Sequence, residues 1–285
     1  MPYGGHHEHD AHRVPQPAGR KAGRFLRSPL GWMLIGMVAV GLASSLVSAG
    51  GVVAVLGAAV AVAVYWAVMR HVAHRDVPEI AKSGAVTQTL SGAVIGFGLI
   101  TVSMLTLLTE FSFDERPGNA LSIVASMAAV QVGAAVTEEL LFRGLALQAL
   151  EKLCGSWAAL AITAALFGGL HAANPGATLW SSTAIAVEAG VLLGAAFLWK
   201  RNIWFAVGLH FAWNTGLGLI GIPVSGHASE GLMTTTPTGP DLVTGGEFGL
   251  EASIVPVVIS VLIAIPMLIA AHRRGNLVPM RRGRR

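Results

Sequence analysis

Eight apolar stretches, at approximately residues 29 to 49, 51 to 69, 88 to 109, 119 to 150, 156 to 173, 177 to 199, 202 to 221 and 252 to 271, take up most of the 285-residue chain. Each is near the roughly 20 residues that an α-helix needs to cross the hydrocarbon core of a bilayer. A segment in lipid has to pair its own backbone N–H and C=O groups, so the pattern predicts an all-α bundle of about eight transmembrane helices. Composition excludes a soluble domain: 12% of the residues are charged and 53% hydrophobic, against about 25% charge in an ordinary soluble domain. The first two spans are separated only by the Ser48 to Gly51 turn. The fourth is too long for one perpendicular crossing and must tilt or project beyond the lipid. The expected organisation is a disordered His- and Arg-containing tail over residues 1–28 and a membrane-embedded domain over 29–271. A Gly-, Thr- and Pro-rich loop at 222–249 interrupts the domain, and a basic tail follows at 272–285.

Seventeen of the nineteen Lys and Arg residues fall on one side of this plan: five in the N-terminal tail, Arg70, Arg75 and Lys82, then Lys152, Lys200 and Arg201, and six at the C-terminus. The other side receives only Arg116, and Arg143 lies inside the fourth span. The positive-inside rule then places both termini and the basic turns in the cytoplasm, with the 222–249 loop outside. The net charge of +4 is not gathered on one amphipathic or aromatic-rich element, so nucleic acid is not an expected partner. The single cysteine, Cys154, excludes a disulfide framework and Cys-rich zinc modules, and reads as a small apolar residue near a helix turn.

Ionisable groups inside spans are costly and mark functional positions. The fourth span contains Glu138, Glu139 and Arg143, the fifth contains Phe167 and His171, and the seventh contains His210 and Asn214. Residues four apart share a helix face, so Glu139 can pair with Arg143 while Glu138 stands one position round. His210 and Asn214 share a face in the same way. The Glu139–Arg143 pair reads equally as a helix-stabilising ion pair and as part of the chemistry. Phe142 and Phe167 read as wall residues. Glu188 in the sixth span has no assigned role. Glu138 and His171 lie symmetrically about the polar break Glu151 to Ser156, so an antiparallel hairpin brings them level. At 1.5 Å per residue both lie about 25 Å from that turn, and His210 lies about 14 Å from Lys200–Arg201. The fourth and fifth helices must therefore project about 10 Å into the cytoplasm for the three to align. The expected site is a polar cluster in the cytoplasmic half of the membrane, entered from the cytoplasm.

The ordered set EExxxR (Glu138, Glu139, Arg143), FxxxH (Phe167, His171) and HxxxN (His210, Asn214) resembles the CPBP intramembrane protease family, which includes type II CAAX prenyl endopeptidases and bacterial Abi proteins. The motif region covers about residues 119 to 220. The resemblance implies a peptidase of membrane-associated protein or peptide substrates, in a multi-pass cell-membrane protein. The Arg-over-Lys bias and the Ala, Gly and Val richness are those of a high-GC bacterium, where prenylated targets are doubtful.

Peptide hydrolysis needs an activated water, a base to take its proton and donors for the oxyanion. Glu138 is assigned as the base, His171 as a second acid–base group, and His210 and Asn214 as donors; Glu139, Arg143 and Phe167 support them. A Zn2+ alternative keeps His171 and His210 as nitrogen ligands, with a carboxylate or Asn completing an open site. With two core histidines and no HExxH motif the sequence does not separate the two versions, and the metal-free, glutamate-based one is taken as the working expectation. His7-Glu8 continues to Ala11, not histidine, and the His6 to His12 run reads as a solvated tail. Neither a GxSG nor a GxGD motif is present. The reading from another class is a non-catalytic scaffold or transporter, although no repeat relates the two halves as it does in many transporters.

Overall fold

Pro29 supplies the fixed first turn of a helix, and the Ser28 side chain accepts a hydrogen bond from the Gly31 amide. That cap starts α1 (Pro29–Ser44). The computed structural model describes residues 24–280, so the His-rich run and most of the N-terminal tail, with residues 281–285, lie outside the described residues. After a short turn, α2 (Gly51–Ala67) returns along α1 and ends in a π-helical turn, Val68–Val72. Next come α3 (Ala85–Leu107), the strand β1 (Phe111–Glu115) and α4 (Ala120–Glu139), capped by Asn119. A π-helical segment, Leu140–Leu147, joins α4 to α5 (Gln148–Leu170). Then follow α6 (Leu179–Ile185), a π-helical turn Ala186–Val191, α7 (Leu192–Lys200) and α8 (Ile203–Leu219). The strand β2 (Met233–Pro237), the short α9 (Asp241–Thr244) and α10 (Ile254–Arg273) complete the order.

Six helical runs are long and apolar enough to cross a membrane: Pro29–Ala49, Gly51–Val72, Ala85–Glu110, Ala120–Ala173, Leu179–Lys200 and Ile254–Arg273. The fourth of these is bent back on itself. Gly155 takes φ 80°, a conformation only glycine adopts freely, and the chain reverses there. Beyond the turn the Phe142 and Phe167 rings meet with centroids 4.8 Å apart, as an antiparallel hairpin centred on that turn requires. With its two arms separated and the 17-residue α8 included, the described residues form eight rods.

Parallel α3 and α8 make the closest helix contact. Gly92 lies against the Phe205 carbonyl and Gly208 against that of Thr89, so that a Cβ at either would strike backbone. Apolar attraction between helices is weak in lipid, and small residues allow the close backbone approach that replaces it. The outward faces stay apolar: Val38, Leu42, Val94 and Leu105 are exposed to the surroundings that a bilayer would fill.

The basic turns gather at one end of the bundle and fix its register. The Tyr65 hydroxyl donates to Glu79 and lies 3.1 Å from the Gly144 carbonyl, and Arg75 bonds both Glu79 and, at 3.2 Å, Gln148. Burial alone would raise the Glu79 pKa, but the hydrogen bonds and charge of Arg75, with the Tyr65 hydroxyl, bring it below the ordinary carboxylate value. Trp204 at the start of α8 donates to the Ala81 carbonyl at 3.0 Å, and Arg201 bonds Glu151 at 2.7 Å.

At the other end, the 222–249 segment is more ordered than its Gly, Thr and Pro content implies. Its Thr-rich strand β2 pairs antiparallel with β1 in a two-stranded sheet. Ile222 and Val224, together with Leu250 just beyond, are buried in one cluster with Phe111 of β1, and Phe248 is buried against Phe167 and Ile185. Those apolar residues are too dispersed along the chain to read as an element, yet in space they pack on the bundle.

Candidate active site

Glu138 and Glu139 close the last turn of α4, just before the chain relaxes into the π-helical segment Leu140–Leu147. Such segments admit an extra residue per turn and recur at functional sites. Glu139 is fully buried, and its Oε1 receives Arg143 Nη1 at 3.0 Å and lies 3.0 Å from His210 Nδ1. Arg143 continues across the bundle, donating from Nη2 to the carbonyls of Ala189 at 2.8 Å and Gly190 at 3.2 Å. Its guanidinium also lies over the Phe167 ring, 5.1 Å from the centroid. The ion pair read from spacing is thus a tie between α4, α8 and the turn ahead of α7.

Glu138 is a third exposed, and its Oε2 lies 3.9 Å from His210 Nε2. His171 ends α5; its Nδ1 sits 2.7 Å from the Phe167 carbonyl and its ring tilts against that of Phe167. Asn214, one turn beyond His210, donates to Gln131 Oε1 at 3.2 Å. All seven residues singled out by the three motifs therefore gather where α4, α5 and α8 meet.

Two spaces join at this cluster. A small cavity of about 40 Å³ is lined by Glu138, His171, His210, Glu188, Ser225 and Glu251. An open groove of about 910 Å³ leads from Glu138, His171 and Asn214 along Ser126 and Gln131 of α4 to Glu230. Its far wall belongs to the segment after α8, and it runs away from Lys152, Lys200 and Arg201. Neither Lys152, Lys200 nor Arg201 lines it. Helix rise orders residues along the bundle, whereas the place where a groove opens depends on which helix ends part.

Sequence reasoning missed Gln131, Ser225 and Glu251. A lone polar residue in an apolar stretch marks Gln131 weakly. Nothing local distinguishes Ser225 or Glu251, which reach the cavity only through the fold. Glu251 accepts hydrogen bonds from the Ser225 amide and hydroxyl, and Asn174 donates to the Ser225 carbonyl at 2.9 Å. Burial pushes the Glu251 carboxyl above its ordinary value, against the opposing pull of the Ser225 amide and of His171.

A catalytic zinc takes three protein ligands and an open position. Among the described residues no three His, Cys, Asp or Glu side chains are grouped to hold a metal ion. His171 and His210 each turn Nδ1 to a protein oxygen. Nε2 of each is thereby left free, as in a zinc-bound histidine, but no third ligand is grouped with them among the described residues.

The Type II CAAX prenyl endopeptidase Rce1-like family matches residues 120–216, the stretch that carries all three motifs, and this is consistent with the CPBP family. About a third of the chain is covered. The fold is that of a multispanning membrane protein, and its 120–216 stretch is similar to that endopeptidase family. Comparison with curated proteins and with solved structures finds no match.

Proposed function

We propose that the chain is an intramembrane endopeptidase that hydrolyses a peptide bond of a membrane-associated protein or peptide, with Glu138 activating the water. One observation carries the reading. Of the two adjacent motif glutamates, Glu138 is the one without a hydrogen-bond partner, and its Oε2 faces His210 Nε2 at 3.9 Å where cavity and groove join. That separation is too long for a hydrogen bond and short enough for both groups to touch one water.

In this mechanism the Glu138 carboxylate takes a proton from the water, whose oxygen attacks the scissile carbonyl. Glu139 holds His210 through Nδ1 and balances the charge of its imidazolium form, so Nε2 presents a donor to the oxyanion. Asn214 keeps one amide N–H beyond its bond to Gln131 and supplies a second donor. His171 returns a proton to the leaving nitrogen. Glu138, Glu139, the Arg143 guanidinium and the His210 imidazolium together are close to neutral, which a low-dielectric site demands.

The groove combines Ser126 and Gln131 with Met127 and Leu141, a lining that suits an extended peptide with apolar side chains or an apolar anchor. The distribution of Lys and Arg supports an orientation with the basic turns in the cytoplasm. On that orientation substrate reaches Glu138 from the opposite side of the membrane. A peptidase assay on reconstituted protein with a membrane-anchored peptide tests the function: turnover by the wild type and none by Glu138→Gln is expected. Equal turnover by the two would remove Glu138 from the mechanism.

A further inference from the structure

The proposed reaction leaves one buried acid without a task. Glu188 sits on the π-helical turn Ala186–Val191, 3% exposed, and its Oε2 has no hydrogen-bond partner. It lines the small cavity shared with Glu138, His171, His210 and Glu251. A buried carboxyl group among apolar side chains persists when it is neutral or bonded to ordered water. At about 40 Å³ the cavity admits a few water molecules, each needing about 10–15 Å³, and its polar wall supplies their partners.

A second observation ties Glu188 to the motif residues. The two carbonyls that Arg143 grips, those of Ala189 and Gly190, belong to the residues immediately after Glu188. Through Arg143 and Glu139 the turn bearing Glu188 is held in register with His210. Facing Glu188 are Glu138 and Arg143 from the α4 arm, His171 at the end of α5, His210 on α8 and Glu251 ahead of α10. On the remaining neighbours, α6 carries no titratable side chain, and α7 and α10 carry theirs only at the basic end.

We propose that Glu188 is a proton-relay residue of this centre, exchanging a proton with His171 and His210 through the water of the small cavity. The inference rests on the endopeptidase reading. In the attack step an O–H bond of water breaks, its proton passes to Glu138, and the new C–O bond pushes the carbonyl electron pair onto oxygen. In the collapse step that pair re-forms the carbonyl and the C–N bond breaks. The leaving nitrogen takes a proton from His171, which Glu188 replaces through the cavity water. The proton on Glu138 then returns to Glu188 by the same water, so the centre is restored and the net change is peptide plus water to acid plus amine.

The test compares wild-type and Glu188→Gln full-length protein in lipid vesicles by two readouts. In infrared spectra at neutral pH, a protonated-carboxyl band that shifts in deuterated water is expected in the wild type and absent from the variant. With the membrane-anchored peptide, kcat is expected to fall about 100-fold with KM unchanged, one ionisation is lost from the pH–rate profile, and the unfolding temperature is retained. An unchanged carboxyl band, or wild-type kcat and pH profile in folded variant, overturns the relay. The infrared result judges Glu188 even where no peptide is cleaved, whereas activity retained by Glu138→Gln counts against the peptidase reading alone.

Discussion

His210 turns its Nδ1 to the buried Oε1 of Glu139 at 3.0 Å, and this contact divides the labour between two adjacent glutamates. Glu139 is spent on holding His210 and Arg143, which leaves Glu138 free at the groove.

Replacing Glu138 by Gln keeps volume and shape but removes the proton acceptor. The expected loss in kcat is about 100-fold to 10,000-fold, at the upper end for a base that activates the nucleophile, with thermal unfolding unchanged. Turnover of the membrane-anchored peptide by purified variant measures it, and a well-folded variant with wild-type kcat would falsify the role.

Glu139→Gln is expected to behave differently. It leaves the Arg143 guanidinium buried without its ion pair, a situation that costs about 3–5 kcal/mol in a broken buried pair, and it frees the His210 ring. Expression and unfolding temperature should fall together with activity. Loss of activity at full stability would mean that Glu139 acts on the substrate itself.

Entry of substrate is decided by labelling. On a Cys154→Ser background, a cysteine at Thr235 in β2 is expected to react with an impermeant reagent from outside, and one at Lys152 from the cytoplasm. Reversed labelling would put the groove on the cytoplasmic face and the basic turns outside.

Chelation addresses the reaction directly. Turnover is expected to survive treatment with a strong chelator, and metal analysis of the active protein to show less than one ion per chain. Activity lost on chelation and restored by zinc would return His171 and His210 to the role of ligands.

Stability should respond to acid through Glu79, which lies outside the spans. Its pKa in the folded protein is below the ordinary value, so the Arg75–Glu79 pair stabilises the fold fully above the unfolded carboxylate pKa. That contribution is lost as pH falls through the folded value. Unfolding temperature followed from neutral to acid pH should decline less steeply in Glu79→Gln than in the wild type. Parallel curves would mean that the pair contributes nothing across this range.

Much of this protein was legible along the chain because membranes make helices self-sufficient. Each span closes its own backbone hydrogen bonds, so apolar length marks it without knowledge of neighbours. The constant helix rise brings Phe142 level with Phe167 once Gly155 marks the turn. Spacing of four likewise puts Arg143 beside Glu139. The remainder depends on contacts between residues far apart in order. Gln131 meets Asn214 across 83 positions, and Ser225 and Glu251 reach the cavity from segments with no helical period to report them. Ile222 and Val224 are buried with Phe111 of β1, and Phe248 with Phe167 and Ile185, partners far away along the chain. The same packing set the side from which the groove opens. Depth in the bundle is a local quantity, counted residue by residue, but an opening exists where helices from different parts of the chain fail to touch, and only their assembly decides that.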